Sequence, residues 1–124
     1  MLMIDRYLKV LLTIFALIVL TLPVKAEEMV WSCKMTGFAK TSLEGVETFQ
    51  KQKFKMKVTS EEVVFGSGGY FDEASMSMVR YGKLGFEAAH KDGNKFLILR
   101  RGEFHFSSST AKKVTAISAL CDDF

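Results

Sequence analysis

The stretch Gln50–Val58, QKQKFKMKV, decides the fold. Lys51, Lys53, Lys55 and Lys57 fall on one phase of it, and Phe54, Met56 and Val58 fall on the other. A period of two is the signature of a strand that buries one face and wets the other. Downstream, Thr59-Ser60 turns the chain into Glu62-Val63-Val64-Phe65, the expected hairpin partner. Three glycines in Gly66–Gly69 then read as a loop. Met76 and Met78 alternate with Ser75 and Ser77, so a short strand is expected between Phe71 and Tyr81.

The same alternation continues to both ends. Leu84 to Lys91 leads into Asp92-Gly93, a dipeptide suited to a two-residue hairpin turn with both central residues at positive φ. Lys95–Arg100 follows, apolar on both faces. Arg101-Gly102 turns into Glu103–Phe106, and Ser107–Thr110 reads as a polar loop. In the last strand, from about Lys113 to Cys121, Thr115, Ile117, Ala119 and Cys121 share a phase. Upstream of the lysine stretch, Trp31, Cys33 and Met35 alternate with Ser32, Lys34 and Thr36. The expectation is an all-β antiparallel meander of seven or eight short strands. Cys33 and Cys121 sit on inward phases of its first and last strands, and pairing them as a disulfide would curl the sheet into a small barrel or flattened sandwich.

Before the first strand comes a different kind of sequence. Arg6 and Lys9 precede an apolar run, Val10–Leu22, which Pro23 ends and Val24-Lys25-Ala26 follows. A basic start, an apolar stretch of 13 residues and a small residue at the exit describe a secretory signal peptide with its helix. As a helix the run would rise only about 20 Å, short of a hydrocarbon core of about 30 Å, so no stable membrane anchor is expected after cleavage. The chain therefore divides into residues 1–26, a secretory signal peptide, and 27–124, an exported all-β domain bound for the periplasm or the extracellular space. A protein of 124 residues that is 48% hydrophobic and 25% charged holds one such domain and is not a disordered chain. The formal charge of +3 falls to +1 over residues 27–124, which removes the case for nucleic-acid binding.

Chemistry-bearing residues are sparse. The lysine row, Lys51, Lys53, Lys55 and Lys57, places ammonium groups about 7 Å apart along one strand face, a spacing that can follow an anionic surface. The ordinary role of such a row is to solvate an outer face and block edge pairing. His90 and His105 are the only imidazoles, and no spacing suits a metal. Neither a nucleophile elbow nor a phosphate-binding glycine motif is present, and no cofactor is implied. Glu103 and His105 are the best candidates for an enzymatic site. An integral outer-membrane barrel is disfavoured because Ser118 and Asp122 fall in phase with Phe124, where lipid-facing apolar residues belong.

Two short segments resemble small periplasmic inhibitors of C-type lysozyme. Ser67-Gly68-Gly69-Tyr70 is similar to their Ser-Gly-x-x-Tyr loop but one residue shorter, and Lys83-Leu84-Gly85 is similar to their Lys-Gly with Leu84 inserted. The segments cover about a fifth of the chain, and Lys95–Thr115 has no clear counterpart in that pattern. The resemblance implies an all-β fold and a role for Ser67, Tyr70 and Lys83 in contacting a lysozyme. The residues themselves point first to a non-enzymatic binding domain whose partner is an anionic envelope component or another protein. A lysozyme-inhibitor-like protein, and an enzyme with a sparse His/Glu site, are the alternatives.

Overall fold

A computed structural model describes residues 28–123. The expected signal segment 1–26 lies outside these residues. Nine antiparallel strands form a single sheet: β1 (Met29–Ser42), β2 (Gly45–Thr48), β3 (Lys53–Val58), β4 (Glu62–Phe65), β5 (Ser75–Gly82), β6 (Gly85–Ala89), β7 (Lys95–Arg100), β8 (Glu103–Ser109) and β9 (Lys113–Asp123). β3 to β9 follow one another around the sheet, and β1 pairs with both β3 and β9, so eight strands close a barrel. β2 is an extra strand on the far half of β1. The antiparallel meander is as the alternation implied, with nine strands where seven or eight were expected, and its closure is as the cysteine placement implied, in the form of a barrel.

β1 and the segment from β2 through β3 are two legs of one long hairpin. Ser42 faces Gly45 in β2 and Met29 faces Val58 in β3, without any change of register between them. Even in the gap between β2 and β3, Phe49 N–H donates to Phe38 O at 2.9 Å and Met35 N–H donates to Gln52 O at 3.0 Å. A bulge at Thr36 breaks the β1–β9 ladder between the Met35–Ala119 and Gly37–Ser118 pairs. One unpaired residue shifts the alternation by one. Cys33 and Met35 point inward before the bulge, and Phe38 points inward after it.

Several boundaries differ from the sequence reading. Ser107–Ser109 extends β8 rather than forming a loop, with Ser108 buried opposite Thr115. Phe71 lies in the β4–β5 loop, and β5 begins at Ser75. At Asp92-Gly93 only Gly93 has positive φ, and four residues separate His90 from Lys95, which it hydrogen-bonds. The two-residue turn with both residues at positive φ is instead Arg101-Gly102, at 51° and 79°.

The barrel is filled by side chains. Phe104 is fully buried and meets the rings of Phe54, Phe71 and Phe65 at 5.1, 6.0 and 6.5 Å. Leu97, Leu99, Val58 and Val63 share this core, each worth about 1.5–3 kcal/mol of burial. The outside carries Lys53, Lys55 and Lys57 on β3 and Glu103, His105 and Ser107 on β8. That polarity is the reverse of a lipid-facing barrel, whose apolar band points outward.

Candidate functional site

Strand phase builds the basic face. Because Met56 and Val58 must point into the barrel, Lys53, Lys55 and Lys57 are forced outward and exposed. The β1–β3 register then sets Lys34 directly opposite Lys53, Ser32 opposite Lys55 and Val30 opposite Lys57. Neighbouring strands lie about 4.8 Å apart, so the Lys34 and Lys53 stems run side by side. Like charges directly opposite each other destabilise a sheet. Lys51 precedes β3, in the gap of the long hairpin, and is exposed. The described ion pairs, Arg100–Glu87 at 3.7 Å and His90–Asp92 at 3.3 Å, do not involve Lys34 or Lys53. Acidic strand residues flank the face on both sides: Asp122 lies opposite Ser32 on β9, and Glu62 lies on β4, diagonal to Lys57.

A groove of about 480 Å³ crosses this face, lined among others by Val30, Lys55, Lys57, Val64, Ser67 and Glu73. Its far wall is the β4–β5 loop. Gly66 N–H donates to Lys55 O at 2.9 Å, and Glu73 N–H donates to Gly66 O at 3.0 Å, which prolongs the β3–β4 and β4–β5 ladders into the loop. Asp72 Oδ1 accepts from Gly68 N–H at 2.6 Å, and Gln52 Oε1 accepts from Tyr70 N–H at 2.8 Å. Phe71 is buried, stacked on Phe65 at 4.2 Å and edge-on to Phe106 at 4.9 Å. The glycine-rich segment is thus a pinned loop. Replacing Gln52 with Ala should cost about 1 kcal/mol and speed hydrogen exchange at the Tyr70 amide, with exchange at the β7 amides nearly unchanged.

The remaining sequence candidates are dispersed. Ser67 and Tyr70 belong to the β4–β5 loop, and Lys83 lies in the β5–β6 turn. The eight residues of β5 run between them, so they occupy opposite ends of the barrel. Cys33 and Cys121 face each other across β1–β9 as a buried disulfide, with Cα atoms 4.1 Å apart. Glu103 and His105 alternate on the outer face of β8, both exposed, and no hydrogen bond joins them among the described residues. Glu103 lines a shallow concavity of about 750 Å³ with Arg80, Lys83, Glu87, Arg100 and Arg101, while His105 does not. Arg100 sits between the two glutamates, bridged to Glu87 and opposite Glu103. Among the described residues no three His, Cys, Asp or Glu side chains converge as a metal site would require.

Sequence reasoning missed Lys34 as a member of the basic face. The signal was there, since Lys34 falls on the polar phase of its strand, but its neighbour depends on which strand pairs with β1. No protein-family model, no curated protein sequence and no solved structure matches the chain.

Proposed function

We propose that the chain is an exported, non-enzymatic binding protein that attaches through its basic face to an anionic envelope surface. The observation that carries this reading is the Lys34–Lys53 pair. Like charges at directly opposed positions of an exposed ladder repel each other, and an anion held by both would turn that cost into attraction. Lys55 and Lys57 continue the positive row at strand spacing, and Val30 and Val64 between them give the groove an apolar floor. Repeating phosphate or carboxylate groups suit such a row better than a single small ion does.

Vesicles containing phosphatidylglycerol should bind the chain at low ionic strength, and phosphatidylcholine vesicles should not. Near-surface lysines contribute about 1 kcal/mol each toward anionic membranes, so four give weak but measurable attachment. Binding should fall steeply as salt reaches about 0.15 M, where screening confines exposed charges to about 8 Å. Replacing Lys34, Lys53, Lys55 and Lys57 by Gln leaves the inward Met56 and Val58 in place, so the fold should survive and vesicle binding should vanish. Unchanged binding by the folded quadruple variant, or none by the wild type at low salt, overturns the proposal. Binding to soluble polyphosphate but not to vesicles would place the partner among anionic polymers.

A further inference from the structure

The mouth of the barrel beside the β4–β5 loop carries a second site of different chemistry. β2, the far half of β1 and the start of β9 extend past the closed core as one wall. Three rows of side chains lie on the inner side of this wall. Nearest the core are Phe49, Phe38 and Ile117; next come Glu47, Lys40 and Thr115; outermost are Ser42 and Lys113. The β4–β5 loop faces the wall, and its Tyr70 ring meets Phe38 edge-on at 5.1 Å. Between them lies a cavity of about 430 Å³ lined by Phe38, Lys40, Phe49, Gln52, Tyr70 and Thr115. That volume falls within the range of pockets for small organic ligands, about 300–1,000 Å³, and barrel mouths are a favoured place for them.

The cavity has an apolar half and a cationic half. Phe38 and Phe49 stand 4.9 Å apart and, with Tyr70, form an aromatic corner. Lys40 Nζ lies 5.6 Å from the centre of the Phe49 ring, at the rim of that corner. Lys113, opposite Ser42 and so diagonal to Lys40 across β1–β9, joins it there. The hydrogen bond that Lys40 can donate to a neutral Lys113 amine, and next the like charge of Lys40, lower the Lys113 pKa from its ordinary value. Glu47 faces Lys40 across β1–β2, yet no ion pair joins them among the described residues. Two ammonium groups therefore converge at the edge of an aromatic cavity, with the hydroxyl of the buried Thr115 beside them.

We propose that this mouth binds a small amphipathic anion, its ring or short-chain body against Phe38, Phe49 and Tyr70 and its acidic group between Lys40 and Lys113. The site is separate from the basic outer face and does not depend on it. A lone hydrophobic ligand would leave the two ammonium groups repelling each other, and an inorganic anion would leave the aromatic corner wet.

Two probes of nearly equal shape test the assignment. 1-Anilinonaphthalene-8-sulfonate carries the acidic group, and N-phenyl-1-naphthylamine is the same aromatic body without it. The folded, disulfide-bonded chain should bind the sulfonate at one saturable site, about tenfold more tightly than the neutral compound. In the K40Q/K113Q variant the sulfonate should lose that tenfold advantage while the neutral probe is unaffected, and K40R/K113R should restore it. Tyr70→Ala should weaken both probes. Gln at Lys53, Lys55 and Lys57 should change neither, which separates this site from the outer face. Near-UV circular dichroism verifies that each variant keeps its packed core. No saturable sulfonate binding below about 1 mM, or equal affinity in wild type and K40Q/K113Q, overturns the proposal.

Discussion

Removing the Cys33–Cys121 disulfide is expected to lower stability by about 4–5 kcal/mol without opening the barrel. The size of the effect comes from the chain length that the bond spans. Its cysteines are 88 residues apart, so the cross-link constrains nearly the whole unfolded domain. Persistence of the barrel comes from the ladder in which the bond sits. β1 and β9 share eleven residue pairs, from Trp31–Asp123 to Ser42–Lys113, and the disulfide is one rung among them. Met35, Phe38, Ile117 and Ala119 bury their side chains along the same seam, so the two edges remain bound by burial and hydrogen bonds after the sulfurs part. C33A/C121A should keep the wild-type circular dichroism at about 15 °C, near the usual stability maximum. Its melting midpoint should fall by about 16–40 °C, since 1 kcal/mol is worth about 4–8 °C in a domain of this size. A midpoint within a few degrees of the wild type would show that the bond contributes nothing. Loss of the β signal at 15 °C would show that the ladder cannot close the barrel unaided.

The same seam marks how far the sequence could be read. Alternation is visible wherever one face of a strand is buried, as in Phe54-Lys55-Met56-Lys57-Val58, and those strands were legible with their faces assigned. β2 was not. All four of its residues, Gly45-Val46-Glu47-Thr48, are exposed, so no apolar phase distinguishes them from a loop. The full length of β1 was hidden for a related reason. Its bulge at Thr36 shifts the inward phase from Cys33 and Met35 to Phe38, and a period that slips by one residue looks like an ending. Ser107–Ser109 was misread because Ser108 is a buried polar side chain in a row of serines, without the contrast on which periodicity depends.

The candidate sites divide along the same line. Lys53, Lys55 and Lys57 were legible because one strand carries all three. Lys34 was not, because its place beside Lys53 is a property of the β1–β3 register. The mouth was less legible still: Lys40 and Lys113 meet only because the first and last strands close the barrel, and Phe49 joins them only because β2 turns back on β1. Ser67, Tyr70 and Lys83 pose the opposite problem. They lie within one short stretch of sequence, but β5 carries Lys83 to the end of the barrel opposite the other two. An inhibitor that needed all three at one contact would have to span the length of this strand.

The expected outcome at Gly85 bears on that last point, because this glycine completes the Lys83-Leu84-Gly85 segment. Gly85→Ala should be among the most damaging single substitutions in the chain, costing about 4 kcal/mol or more. Gly85 has φ of +156° and lies opposite Arg100 where β6 meets β7. A Cβ at this position would overlap Leu99 O and stand 2.7 Å from Leu99 C. Both are backbone atoms, so no side chain can swing away to make room. One of the two strands must shift. Either shift pulls on the adjacent Phe86–Leu99 pair, whose side chains are both buried in the core. Gly82, at the other side of the same turn, provides the control. Its nearest outside atom would be Gly85 O at 3.9 Å, an ordinary contact, so Gly82→Ala should cost less than about 1 kcal/mol. Urea denaturation of the two variants measures the contrast through the midpoint at constant m-value. Equal midpoints would refute the close approach of β6 and β7. A large difference would give Gly85 a sufficient reason in backbone packing alone, so its place after Lys83 would need no lysozyme to explain it.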